Sequence, residues 1–177
     1  MDVSFRPLTD DDLEMLHGWL NEPGVVAWWE GDDVSWDGVV GDYGSAGRAE
    51  RGDRTEHWVA VVDGSDVGWI QCYPTTDEPG EAQEWWDLGV DRTAAGIDYL
   101  VAEPGARGRG VGSAMIRAFV VDVVFGRHSE WTQAAAAPFV ANAASWKALR
   151  RAGFRHVADV ESDDGAWSLH VIDRGDV

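Results

Sequence analysis

The chain has 177 residues, 45% of them hydrophobic, which is enough for one domain with a substantial core. Its 14 Lys and Arg against 32 Asp and Glu give a net charge of −18, which argues against nucleic acid as a partner and fits either cationic ligands or a generic acidic, well-solvated surface. No apolar run approaches the roughly 20 residues that span a bilayer, and the single cysteine, Cys72, excludes an intrachain disulfide or a multi-cysteine metal site.

The opening MDVSFRPLTDDD lacks the basic and apolar regions of a signal peptide, so a cytoplasmic protein is expected; its oligomeric state, monomer or homodimer, is left open. Val3–Leu8 predicts a first strand. Thr9 then caps a helix, with Asp12 at the capping-box position and Leu13, Leu16, Trp19 and Leu20 on one face. Asn21-Glu22-Pro23-Gly24 ends it, and VVAWWEGDD leads into an acidic loop. A short helix is expected from Ser35 to about Gly47, then loop from Gly47 to Arg54.

Glu56–Val62 and Asp66–Tyr73 predict two strands joined by a turn at Asp63-Gly64. Residues 74–96 read as a long acidic loop interrupted by Trp85-Trp86, and a loop of that length in a compact domain suggests function. The apolar run IDYLVAE predicts a buried strand from Ile97, PGARGRGVG a tight turn, and SAMIRAFVVDVVF a helix. Trp131–Ala137 predicts a further strand. Asn142–Ala152 predicts a helix closed by Gly153. Phe154–Val160 and Trp167–Ile172 predict a last hairpin around Asp163-Asp164-Gly165. The expected order is β-α-α-β-β-β-α-β-α-β-β.

A strand that feeds a glycine-rich turn and a helix N-terminus makes an anion site. Bare backbone lets N–H groups converge, and the helix dipole adds positive charge. The turn is not a Walker A loop, because no Gly-Lys-Ser/Thr follows, and Gly108, Gly110 and Gly112 miss the dinucleotide spacing. Cys72 falls in a predicted strand and reads as a small buried hydrophobe. His17, His57, His128, His156 and His170 show no metal-ligand spacing.

Arg107-x-x-Gly110-x-Gly112 between strand and helix, with Asn142 and Gly153-Phe154 bounding a later helix, resembles the GNAT superfamily of N-acetyltransferases. FRPLTDDDLEMLHGWLNEPGVVAWWEG, VGWIQCY and EWWDLG…AAGIDYLVAEP are similar to the aminoglycoside 6'-N-acetyltransferases of that family, over about residues 5–172. The resemblance implies a single-domain α/β (α+β) fold: a mixed sheet of six to seven strands, splayed between strands 4 and 5, with about four flanking helices. It implies acetyl-CoA as co-substrate and no metal. Leu100, Val101 and Ala102 would pair with the pantetheine arm. Arg107, Gly108, Arg109, Gly110, Val111, Gly112 and Ser113 would hold the pyrophosphate, with Asn142 also on the cofactor side. The Val101 N–H would polarise the thioester carbonyl.

The same resemblance implies Asp98 as the base that relieves the attacking ammonium of a proton. Trp29, Gln71, Tyr73, Trp85, Trp86, Asp98 and Asp164 match substrate-binding positions, where aromatic faces pack on sugars and attract ammonium groups. Asp53 and Tyr43, in a poorly matched stretch, are further candidates for binding the substrate. Two positions depart from the family. Leu149 stands where a tyrosine general acid is usual, and Ala137 where an aspartate precedes the proline. Both point to an altered acceptor range, a lower efficiency or another native amine. The expected activity is acetyl transfer to the 6'-amine of an aminoglycoside, conferring resistance. The alternatives are acylation of a siderophore precursor or other small amine, and a non-catalytic acyl-CoA or antibiotic-binding module.

Overall fold

The computed structural model describes residues 1–29 and 32–177. Glu30 and Gly31, part of the expected acidic loop and the end of the Trp-Trp-x-Gly motif, lie outside the described residues.

Seven strands form one sheet in the order β1-β2-β3-β4-β5-β7-β6. They are β1 (Val3–Pro7), β2 (Glu56–Val62), β3 (Ser65–Pro74), β4 (Ala95–Val101), β5 (Gln133–Ala136), β6 (Arg155–Val160) and β7 (Trp167–Asp173). Every neighbouring pair is antiparallel except β4 and β5. That parallel pair holds for only two partners, Ala95 with Ala134 and Gly96 with Ala135. Beyond Gly96, β4 runs on to Val101 without a β5 partner, so the sheet opens into a V.

The helices are α1 (Leu13–Leu20), α2 (Pro23–Val26), α3 (Trp36–Tyr43), α4 (Ser45–Arg51), α5 (Pro79–Asp87), α6 (Val111–Phe119), α7 (Phe125–Arg127) and α8 (Ala143–Ala152). A π-helical turn, Val120–Val124, joins α6 to α7. One core lies between the sheet and α6 and α8, where Met115, Ile116, Phe119 and Leu149 are wholly buried against Ile70, Cys72 and Ile97. A second lies on the opposite face, where Leu13, Leu16, Leu20 and Val39 pack on Trp69, Leu100 and Ala102. None of the described helices is long and apolar enough to cross a membrane.

Several expectations are corrected. The stretch 74–96 is not a continuous loop: it holds a 3-10 turn (Thr75–Asp77), helix α5 and the start of β4 at Ala95, two residues before Ile97. PGEAQEWWD buries little beyond Ala82 and Pro79 occupies its first turn, so it lacks the apolar stripe by which helices are recognised. The stretch expected as loop from Gly47 contains most of α4, which Gly52 ends at φ +64°. Tertiary bonds stabilise that polar helix: Asp10 accepts from the Ser45 N–H and hydroxyl, and Arg51 donates to the carbonyl of Gly41. The chain therefore carries more helices than the four expected, and β4 ends at Val101 rather than Glu103.

Candidate active site

The β3–β4 register sets Gln71 opposite Asp98, Trp69 opposite Leu100 and Tyr73 opposite Gly96. Opposed pairs share a face, and Trp69, Gln71, Tyr73 and Asp98 line one wall of a cleft. Gln71 Nε2 donates to Asp98 Oδ2 at 2.7 Å, which orients the carboxylate. A Cβ on Gly96 would lie 2.3 Å from Tyr73 Cζ, so only glycine lets that ring lie across the strand.

The cleft measures about 610 Å³ and follows the opening of the V. Asp32, Glu84, Asp98 and Asp164 bring carboxylates to it, and Trp28, Trp29, Trp85, Phe139 and Trp167 bring aromatic rings. Among the described residues its lining includes no Lys, Arg or His. Tyr43 also lines it, its hydroxyl pushed up by burial and by the nearby charges of Asp32 and Asp98. A second cavity of about 630 Å³ shares Tyr43, Gln71 and Tyr73 with the first.

The far wall of the V comes from β5 and α8. Asn142 caps α8 by accepting from the Ser145 N–H at 3.2 Å, and both residues border the cleft. Ser145 Oγ lies 2.7 Å from the Tyr99 hydroxyl, and burial pushes that phenol up, so it stays protonated. Ala137 borders the cleft without a carboxylate, and Leu149 is wholly buried in the core beneath.

The carrier side is built from backbone. The Ala102 N–H donates to Val67 O at 2.9 Å. Alternation along an antiparallel ladder then turns the polar groups of Tyr99 and Val101 away from β3, into the gap that β5 has left. Gly108 and Gly110 adopt φ +72° and +85°, and α6 begins at Val111 with no side chain capping it. The first-turn N–H groups of a helix lack intrahelical acceptors, so Val111, Gly112 and Ser113 offer donors on a positive dipole end, a fit for pyrophosphate. Arg109 is exposed beside this mouth.

The site residues expected from the sequence divide. Trp29, Gln71, Tyr73, Trp85, Asp98, Asn142 and Asp164 line the main cleft. Trp86 does not: one residue along α5 turns it about 100° away, where its Nε1 donates to Thr75 Oγ1 and Arg92 stacks on its ring. Asp53 lines the second cavity. Burial pushes its carboxyl up, but hydrogen bonds from Thr55 and Arg48 outweigh that and hold it below the usual range. Arg107 turns back from the helix mouth, with Nε on the Val101 carbonyl at 2.9 Å and Nη2 on the Ala102 carbonyl and Glu22. It braces the end of β4 to α2.

Sequence reasoning missed Asp32, Glu84, Tyr99 and Ser145 as cleft residues. Glu84 adjoins the paired tryptophans, and Tyr99 follows Asp98 on a strand already suspected. Facing, however, depends on a register that the sequence does not print.

An uncapped helix mouth and a strand edge that β5 leaves open can hold a phosphate-bearing carrier beside an acidic, aromatic cleft. The family model for the acetyltransferase (GNAT) domain matches residues 9–162, and the chain belongs to that family. It is an acetyl-CoA-dependent acetyltransferase. It is 29% identical over 165 residues to the aminoglycoside N(6')-acetyltransferases type 1 of Klebsiella pneumoniae and Serratia marcescens, covering 92% of this chain and 79% of each relative. Among solved structures, aminoglycoside acetyltransferase AAC(6')-Ib with coenzyme A and kanamycin matches at 28% identity and TM-score 0.81, over 98% of this chain and 96% of that one. The same enzyme with ribostamycin and coenzyme A matches at 28% and 0.83, over 99% and 95%.

Proposed function

We propose that this protein is an aminoglycoside 6'-N-acetyltransferase that confers resistance by direct transfer of acetyl to the 6'-amine within a ternary complex. The observation that carries the reading is the cleft itself, in which four carboxylates and a series of aromatic rings meet no basic side chain among the described residues. Such a surface selects a polycation with sugar-like faces. Its volume suits a ligand of several rings better than a small amine.

Bound acetyl-CoA supplies the activated acetyl group. Asp98, oriented by Gln71, pairs with the acceptor ammonium and takes its proton, directly or through a water, freeing the nitrogen lone pair. The Val101 N–H, aimed into the V, donates to the carbonyl oxygen as charge develops on it. As the C–N bond forms and the C–S bond breaks, the Tyr99 hydroxyl delivers a proton to the departing sulfur and recovers one through Ser145 from solvent. This hydroxyl pair takes the role that Leu149 cannot fill. Ala137 leaves one acceptor amine with a weaker contact, which favours acceptors with fewer amines on that side.

The test is thiol release from acetyl-CoA with kanamycin-type acceptors bearing a 6'-amine, against analogues bearing a 6'-hydroxyl. Turnover of the amine alone is expected. Turnover of both, or of neither, would sink the 6'-amine assignment.

A further inference from the structure

A side-chain cluster on the sheet face away from the cleft takes no part in the chemistry above. Glu56 opens β2 and pairs with Cys72 of β3, so the two side chains share a face. Strand alternation puts Gln71 and Tyr73, and with them the cleft, on the other face. His128 reaches the pair from the turn between α7 and β5. One ligand atom from each of Glu56, Cys72 and His128 lies within 4.8 Å of the other two.

The histidine is held in an unusual state. Its Nε2 is sealed from solvent and lies 2.8 Å from Glu56 Oε1, yet the two are not aligned as a hydrogen bond. Its Nδ1 lies 3.4 Å from Glu130 Oε1, and Trp131 stacks on the ring with centroids 3.9 Å apart. Carboxylate on one ring nitrogen and the other nitrogen directed at a thiol and a second carboxylate is the arrangement of a metal-binding histidine with its outer partner.

We propose that Glu56, Cys72 and His128 bind a borderline first-row divalent cation, zinc being the best match, through carboxylate oxygen, thiolate sulfur and imidazole Nε2. One ligand each of O, S and N is the mixed set that zinc accepts and that magnesium or calcium refuse. Tetrahedral bonds of about 2.0–2.3 Å set ligand atoms roughly 3.3–3.8 Å apart, so His128 Nε2 and Glu56 Oε1, now 2.8 Å apart, must open slightly, and the widest separation, within 4.8 Å, must close by up to about 1 Å. Charge balances as well. Cys72 gives up its thiol proton to solvent as the metal–sulfur bond forms, and one thiolate, one carboxylate and a dication sum to zero in a partly buried place. The fourth position is left to water, and the site lies apart from the transfer reaction.

The experiment titrates metal-free protein with cobalt(II) and then displaces the cobalt with zinc. The expected result is one equivalent of cobalt with a thiolate-to-cobalt charge-transfer band that zinc abolishes. Cys72→Ser should remove the band and weaken zinc at least about 100-fold, and His128→Gln should weaken it similarly. Glu130→Gln should cost about 10-fold, the lower end for an outer partner. Retained acetyl transfer in each variant reports that the fold survives, and the two ligand variants guard against misfolding of either. No charge-transfer band in the wild type, or equal zinc affinity in wild type and both ligand variants, would overturn the proposal.

Discussion

Replacing Asp98 by Asn keeps the size of the side chain and its ability to accept from Gln71 Nε2, now 2.7 Å away, but removes the charge and the capacity to take a proton. A positioned base contributes about 10²–10⁴ in rate. At 1.36 kcal/mol per decade this is about 2.7–5.4 kcal/mol of barrier. Steady-state thiol release should therefore show kcat down by two to four decades, with acetyl-CoA binding unchanged, because the carrier is held by backbone of β4 and α6. Removing only the orienting bond, with Gln71→Ala, forfeits one hydrogen bond to a charged group, worth about 1.5–3 kcal/mol, so a loss of roughly 10- to 100-fold is expected. A Asp98→Asn kcat within tenfold of wild type, or a loss confined to the acceptor KM, would refute the assignment of Asp98 as base.

Tyr99→Phe should lower kcat about tenfold or more and leave the acceptor KM unchanged, and an acetyl donor with a more acidic thiol should recover the loss; equal deficits with both donors would argue against the phenol as proton source. His57, buried between Trp69 and Tyr43, has its pKa lowered from 6.5 to about 3 by desolvation and by Arg48. The unfolded chain therefore takes up the proton first, so the contribution is full above pH 6.5 and is lost as pH falls toward 3. Urea unfolding of wild type against His57→Phe should diverge by about 1.4 kcal/mol per pH unit in that window; parallel profiles would contradict it. Gly96→Ala should displace the Tyr73 ring, raise the acceptor KM and cost about 1–3 kcal/mol of stability, with acetyl-CoA affinity retained. Arg107→Ala should lower stability by about 1–2 kcal/mol through the lost carbonyl bonds, whereas Arg109→Ala should leave the melting temperature alone and raise the acetyl-CoA KM several-fold.

Much of the framework was legible because it is written in local backbone preference. The helix expected from Asn142 to Ala152 is there as α8, with Asn142 as its side-chain cap and the closing Gly153 left-handed. Every strand but β5, which reads Gln-Ala-Ala-Ala, carries β-branched or aromatic residues, and the glycine-rich turn ends on the helix it announced. What was lost was structure whose reason lies elsewhere in the chain. Helix α4 has no buried residue of its own and leans on Asp10 and Gly41, and α5 has an acidic sequence with one small buried anchor.

By itself the sequence determined the strand–turn–helix of β4 and α6, the capped helices, the acidic character of the ligand surface and the family. These follow from residue type, short-range spacing and net charge. Only the tertiary structure decided that Trp85 faces the cleft while Trp86 faces Thr75, and that Arg107 braces α2 instead of pointing at the helix mouth. It also decided that Tyr99 meets Ser145 across the V and that His128 joins Glu56 and Cys72. Each of these is a meeting of side chains far apart in sequence, or a choice between faces of one element. Register and packing set such choices, and a single residue of slip would reverse them.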